Sequence, residues 1–130
     1  MSVATFPYAF NSDVKTILAS RLRVADTSWK RLIGLIGTPP ERFRPGEGLW
    51  IVPSHGIHTF MMRFPIDVVY LTADHRVQHI EENVRPWRIT PIITEAATVL
   101  ELPSHTIFQT GTSIGDHIEL YVPQSLKASA

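Results

Sequence analysis

Residues 49 to 72 read Leu49-Trp50-Ile51-Val52-Pro53-Ser54-His55-Gly56-Ile57-His58-Thr59-Phe60-Met61-Met62-Arg63-Phe64-Pro65-Ile66-Asp67-Val68-Val69-Tyr70-Leu71-Thr72. Short runs rich in branched and aromatic residues (Leu49–Val52, Ile57–Met62 and Asp67–Thr72) are cut apart by Pro53-Ser54-His55-Gly56 and by Phe64-Pro65. Runs of this kind between breakers predict strands. The pattern continues through Val77–Val84, Thr98–Leu102 and His117–Val122, with breaks at Ala73-Asp74-His75, Pro86, Pro91, Pro103-Ser104 and Gly115-Asp116. Strands so spaced, without helices between them, predict a mostly β domain, a β-sandwich or barrel. A doubly wound parallel sheet would need helical crossovers that this segment lacks.

Upstream, the spacing predicts one short α-helix near residues 27–36. Asp26 or Thr27 can cap its first turn, and Trp29, Leu32, Ile33 and Ile36 form an i, i+3, i+4, i+7 stripe that would pack on a flat surface. Gly37 and Pro39-Pro40 end it. Thr16–Val24 reads as one further strand. Thr106–Thr110, ending at Gly111, reads as a single helical turn. Residues 1–13 read as a flexible N-terminal arm, 14–123 as a single β-rich domain, and 124–130 as a flexible tail.

Composition narrows the function classes. The chain has 130 residues, 44% of them apolar and 18% charged, with twelve basic and twelve acidic side chains. One domain of this size buries roughly two-thirds of its unfolded surface. Zero net charge lacks the basic footprint of a nucleic-acid binder. It also removes self-repulsion, which predicts a monomer or weak homo-oligomer. The absence of cysteine excludes disulfides, a thiol nucleophile and cysteine-ligated metals. No apolar run approaches the ~18 residues of a membrane helix, and no basic start leads into an apolar stretch, so the expected setting is cytoplasmic, away from membranes.

The candidate chemistry lies in two blocks. In a strand, His58, Phe60 and Met62 would share one face, and Asp67 would open the next strand, within reach of His58 if the two pair. That arrangement offers a His58–Asp67 acid–base pair, with Arg63 or Arg85 stabilising negative charge. The second block is Arg85-Pro86-Trp87-Arg88, in which guanidiniums flank an indole. Arginine supplies a planar fork for carboxylate or phosphate, and tryptophan a stacking face. Glu101, between Leu100 and Leu102, is an acid within an apolar strand. His55 and His58, three apart on a strand, would point to opposite faces, so no metal and no cofactor is expected. Met61 and Met62 are expected to fill core gaps. There is no Gly-rich phosphate loop, no G-x-S-x-G elbow and no H-E-x-x-H.

The ordered set Trp29-Lys30-Arg31-Leu32-Ile33-Gly34-Leu35, Pro45-Gly46-Glu47-Gly48-Leu49-Trp50, His58 to Leu71, Arg85-Pro86-Trp87-Arg88, Leu100-Glu101-Leu102-Pro103 and Gly115-Asp116 resembles the Domain of Unknown Function 192 family of bacteria and archaea. The resemblance spans about residues 14 to 122. It implies a compact β sandwich or barrel with a short helix, and it carries no established activity. Where members commonly have an aromatic residue and an Asp-Gly turn, this chain has Met61 and Asp74-His75.

Together these features favour a non-catalytic binding domain. His58, Arg63, Asp67, Arg85, Trp87 and Glu101 would line one shallow pocket for a small anionic or carbohydrate-like molecule, or for a peptide of a protein partner. One alternative is a structural or assembly subunit, in which the polar set only stabilises the fold and an apolar surface near Trp50 or the arm does the work. The other is a small hydrolase-like enzyme using His58 and Asp67.

Overall fold

The structure is a computed structural model and describes residues 6–123. Its order is β1 (Tyr8–Asn11), β2 (Thr16–Ala19), β3 (Arg21–Ala25), α1 (Ser28–Ile33), a 3-10 turn at Pro40–Arg42, β4 (Glu47–Ile51), β5 (Ile66–Leu71), β6 (Val77–Val84), β7 (Thr98–Pro103), α2 (Thr106–Thr110) and β8 (Ile118–Tyr121). An antiparallel sheet runs β2-β1-β8, and a five-stranded sheet runs β3-β4-β7-β5-β6. The fold is mostly β, as expected. Within the larger sheet only β3 and β4 are parallel, in register from Arg21↔Glu47 to Ala25↔Ile51, and α1 lies in their crossover.

Side-chain alternation gives the large sheet two covered faces. Leu100 and Leu102 of β7, with Val69 and Leu71 of β5, meet Ala9, Leu18, Ala19 and Ile118 of the small sheet. Val99, Val68, Tyr70, Leu49 and Ile51 point the other way, where Leu35, Phe43, Met62 and Ala96 from the connecting segments cover them. Both central strands are therefore buried along their whole length. That is why Ile66–Leu71 is almost uniformly apolar instead of alternating. Burying each large aliphatic side chain contributes about 1.5–3 kcal/mol.

Four expectations need correction. Thr16–Val24 is not one strand. It divides at Ser20 into β2 and β3, which belong to different sheets, and the N–H groups of Ser20 and Arg21 both donate to the Gly46 carbonyl at 2.9 Å. Ile57–Met62 is a loop with a single β-bridge, His58↔Ile89, and Met61 takes a left-handed φ of 62° that extended strand backbone does not use. α1 stops at Gly34, whose N–H donates to the Lys30 carbonyl, so Gly37 is not its cap. Thr27 does cap the start, accepting the Lys30 N–H at 3.1 Å. The apolar stripe of α1 packs on nothing: Trp29 is 70% exposed, and Leu32 and Ile33 are also exposed. The six-residue helix buries none of its own residues, and Leu35 from the following turn is buried instead.

The fourth correction concerns the arm. Tyr8–Asn11, read as part of it, is the central strand of the small sheet, paired with both β2 and β8. Four residues are too few to show an alternation signal. Residues 1–5 and the tail 124–130 lie outside the described residues. The helical turn ending at Gly111 stands where the sequence places it. His75 adopts a left-handed φ of 67°, so the turn keeps a glycine-type conformation without glycine.

Candidate functional site

Thr59 organises the surface that joins the two chemistry-bearing blocks. Its N–H donates to the Arg88 carbonyl (2.8 Å), and its carbonyl accepts the N–H groups of Trp87 (3.0 Å) and Met62 (3.2 Å). Its hydroxyl donates to the Arg85 carbonyl at 2.6 Å and accepts the Arg88 N–H at 2.9 Å. The residue is fully buried. These bonds zip the 58–63 loop to the 85–88 turn. Two residues of the zipped unit, Met61 and Trp87, have left-handed φ values of 62° and 66°. Such backbone costs about 1–3 kcal/mol per residue and persists only where the surroundings over-determine it.

What the zipper holds up is an aromatic ridge. The rings of His58 and Phe60 stack at 4.9 Å, and Phe60 and Trp87 lie 5.9 Å apart at 31°. Trp87 is 61% exposed. His58 Nδ1 accepts the Phe60 N–H at 3.2 Å, which leaves the proton of the neutral ring on Nε2. Arg85 and Arg88 flank Trp87 in sequence, and Arg63 ends the 58–63 loop; all three are exposed. Among the described residues none of the three pairs with a carboxylate, so Arg85 does not neutralise Asp67 or Glu101. Met61 is exposed rather than filling the core, whereas Met62 is buried.

Asp67 is not part of this surface. Its Oδ1 accepts the Asn83 N–H at 2.9 Å and its Oδ2 accepts the Ile107 N–H at 2.8 Å, and the side chain is wholly buried. Both oxygens are therefore committed to backbone at the end of β6 and the start of α2. His58 is bonded elsewhere, so the proposed His58–Asp67 acid–base pair does not form.

Glu101 lies behind the ridge. On β7 it stands opposite Leu49 of β4 and Val68 of β5, on the face covered by Leu35, Phe43 and Met62. It is 3% exposed, and its Oε1 is buried without a hydrogen-bond partner. Burial pushes its carboxyl up to about 8, against a smaller opposing pull from Arg23. Glu101 contributes to a cleft of about 350 Å³ between α1 and the 53–58 loop, with Arg31, Leu35, Ile51, Ile57, His58 and Met62 among its walls. The single pocket lined by all six predicted residues is thus not formed. His58, Arg63, Arg85 and Trp87 belong to the ridge and its margin, Asp67 is internal, and Glu101 faces the cleft that His58 borders.

Sequence reading missed Thr59 and Arg31. A lone threonine gives no signal of its hub role. Arg31, off the apolar stripe of α1, donates to the Val52 carbonyl at 3.3 Å. His55 is used locally, its Nδ1 lying 2.7 Å from the Ala96 carbonyl. Among the described residues no three His, Asp or Glu side chains are grouped to hold a metal ion, and no helix is long and apolar enough to cross a membrane.

Comparison with known proteins gives the same family outline as the residue blocks. The DUF192 family, described as an uncharacterized ACR, matches residues 10–120. A UPF0127 protein of Thermococcus sibiricus is 31% identical over 117 residues, covering 86% of this chain and 73% of its own. A crystal structure of a protein of unknown function from Novosphingobium aromaticivorans superimposes with a TM-score of 0.75 at 22% identity, covering 87% of this chain and 83% of that one. A Sinorhizobium meliloti protein does so with a TM-score of 0.73 at 22% identity, covering 92% and 98%. These two structures are similar in fold.

Proposed function

We propose that this chain, which belongs to the DUF192 family, is a non-catalytic binding domain that takes a small anionic, carbohydrate-like ligand on the His58–Phe60–Trp87 ridge. The observation that carries the reading is Trp87: an indole 61% exposed, fixed on a left-handed backbone and tilted against Phe60 at 5.9 Å. Leaving a tryptophan in water on strained backbone is costly, and strain of this kind gathers at binding sites. A pyranose ring presents C–H groups to an indole face, and the guanidiniums of Arg63, Arg85 and Arg88, paired with no carboxylate among the described residues, offer forks for a carboxylate or phosphate on that ring. No side chain at the ridge is placed as an activated nucleophile, which favours binding over turnover.

The test is a titration of tryptophan fluorescence with glucuronate and glucose 6-phosphate, with glucose and inorganic phosphate as controls. Millimolar anionic sugar should shift the emission, and neither control should match it. Trp87→Ala should remove the response, and Arg85→Ala should weaken it at least several-fold. Equal responses to phosphate and to glucose 6-phosphate, or an unchanged response in Trp87→Ala, would overturn the reading.

A second reading, an assembly subunit, is favoured by the exposed Trp29, Leu32 and Ile33 of α1. Trp50 is less suited to that role, since it is half-buried and its indole N–H donates to Thr98 at 3.0 Å. Sedimentation of the wild type and of Trp29→Glu separates the readings. A dimer abolished by the substitution supports assembly, and a monomer throughout rejects it.

A further inference from the structure

We propose that the cleft between α1 and the 53–58 loop, which meets the ridge at His58, is a second site, and that it binds a short-chain monocarboxylate. The apolar tail would lie against Ile51, Ile57 and Met62, and the carboxylate would be held by Glu101, Arg31 and His58. The cleft's volume of about 350 Å³ falls at the lower end of small-molecule pockets. Its walls are mainly aliphatic, with Leu35 and Ile36 added to those three residues. A buried polar atom without a partner costs about 1–3 kcal/mol, and Glu101 Oε1 is such an atom in the side chain that faces the cleft. A ligand that hydrogen-bonds this group recovers that cost.

The polarity of the lining selects an anion. The groups facing Glu101 from neighbouring elements are Arg23 on β3, Arg31 on α1 and His58 on the loop, while β4 and β5 present Leu49 and Val68 beside it. No second carboxyl lines the cleft. At neutral pH Glu101 is the protonated acid, because burial holds it in that form. The available hydrogen-bonding groups are then donors: the Glu101 O–H, the His58 Nε2–H, and the Arg31 N–H groups that Val52 and Ser28 leave free. An acid O–H donating to a carboxylate makes a short, charge-assisted bond. An ammonium ligand would instead face Arg31 and would have to strip the proton from Glu101. The arrangement does not depend on Trp87, so it stands or falls apart from the ridge.

The probes are hexanoate and hexylamine, which match in tail and differ in head charge, titrated calorimetrically at pH 6.5 and pH 9. Hexanoate stays ionised across that range. It should bind at pH 6.5 and weaken at least tenfold at pH 9, where Glu101 loses its proton. Hexylamine should not bind at either pH. Glu101→Gln, which keeps a donor but cannot ionise, should bind hexanoate with little change between the two pH values. Glu101→Leu and Arg31→Met should each lose at least tenfold at pH 6.5, with melting curves confirming the fold. Trp87→Ala should bind hexanoate as the wild type does. The proposal is overturned if neither probe binds, if hexylamine binds and tightens as pH rises, or if Glu101→Leu binds hexanoate as well as the wild type does.

Discussion

Asp67 and Ile107 stand forty positions apart, and the backbone N–H of Ile107 donates to Asp67 Oδ2 at 2.8 Å in a fully buried setting. The other oxygen accepts the Asn83 N–H at 2.9 Å, where the chain leaves β6 with a left-handed φ of 52°. One carboxylate thus pins the end of β6 and the first turn of α2 to β5. Asp67→Ala would strand two donors, and each unmade bond to a charged group costs about 1.5–3 kcal/mol. We expect Asp67→Ala to lose at least about 3 kcal/mol in urea unfolding and Asp67→Asn, which keeps one acceptor, to lose less. A loss below about 1 kcal/mol for the alanine variant would contradict this structural role.

Glu101 should act on stability in the opposite sense. Its carboxyl is pushed from 4.5 up to about 8 in the folded chain, chiefly by burial. Between those values the folded state keeps a proton that the unfolded state has released, so stability falls as pH rises through that window and levels off above about 8. Below 4.5 both states are protonated and the effect vanishes. Glu101→Leu matches the apolar face formed by Leu49 and Val68 and has no charge to bury. Its advantage over wild type should be small at pH 4 and should grow to a few kcal/mol by pH 8. Urea titrations of both proteins at several pH values would show it, and a pH-independent difference would refute it. A group that lowers stability at neutral pH in this way is what a binding site, rather than a core position, retains.

The sequence was most informative where burial is two-sided or punctuation is strong. Ile66–Leu71 and Thr98–Pro103 announce strands through apolar runs broken only by Asp67, Thr98 and Glu101, and Gly111 marks the end of α2. It was least informative where topology, not local pattern, decides. Nothing in Tyr8–Asn11 says that it will sit between β2 and β8, and nothing in the Thr16–Val24 run marks the change of sheet at Ser20. The stripe on α1 has helical period, yet Trp29, Leu32 and Ile33 stay exposed while Leu35, just beyond the helix, is buried. At the candidate site, residue types were legible and partnerships were not. Trp87 stays exposed and, among the described residues, Arg63, Arg85 and Arg88 pair with no carboxylate, which their types alone do not decide. The Asp67 carboxylate, which looked available, is consumed by amides that no side-chain pattern reveals.

Gly48 tests the packing between the two sheets. A Cβ there would lie 2.8 Å from the Ala19 Cβ, 3.2 Å from Leu22 Cδ1 and 3.3 Å from Leu102 Cδ2. The leucine tips can give way, but Ala19 can move only with its backbone. Gly48→Ala should therefore destabilise by about 1–3 kcal/mol despite the better strand propensity of alanine. The double variant with Ala19→Gly should recover a large part of the loss. Equal stability of Gly48→Ala and wild type in urea would mean that the β2–β4 approach is looser than these distances.

Thr59→Val separates shape from hydrogen bonding at the ridge. Valine keeps the volume and the backbone bonds to Trp87 and Arg88, but it removes the hydroxyl that donates to the Arg85 carbonyl at 2.6 Å and accepts the Arg88 N–H at 2.9 Å. Both orphaned groups sit in exposed turn residues, so water can replace part of what is lost, and the cost should be about 1–2 kcal/mol rather than that of a sealed core. The larger effect should be local. With the 85–88 turn held by fewer bonds, Trp87 no longer gains enough to keep its left-handed backbone, and its contact with Phe60 should loosen. Amide hydrogen exchange at Trp87 and Arg88 should then rise well above the change implied by global stability, while β5 and β7 remain protected. Thr59→Ser should restore the wild-type pattern. If exchange rises evenly across the sheet instead, Thr59 contributes to the fold as a whole and the ridge is not a separately held unit.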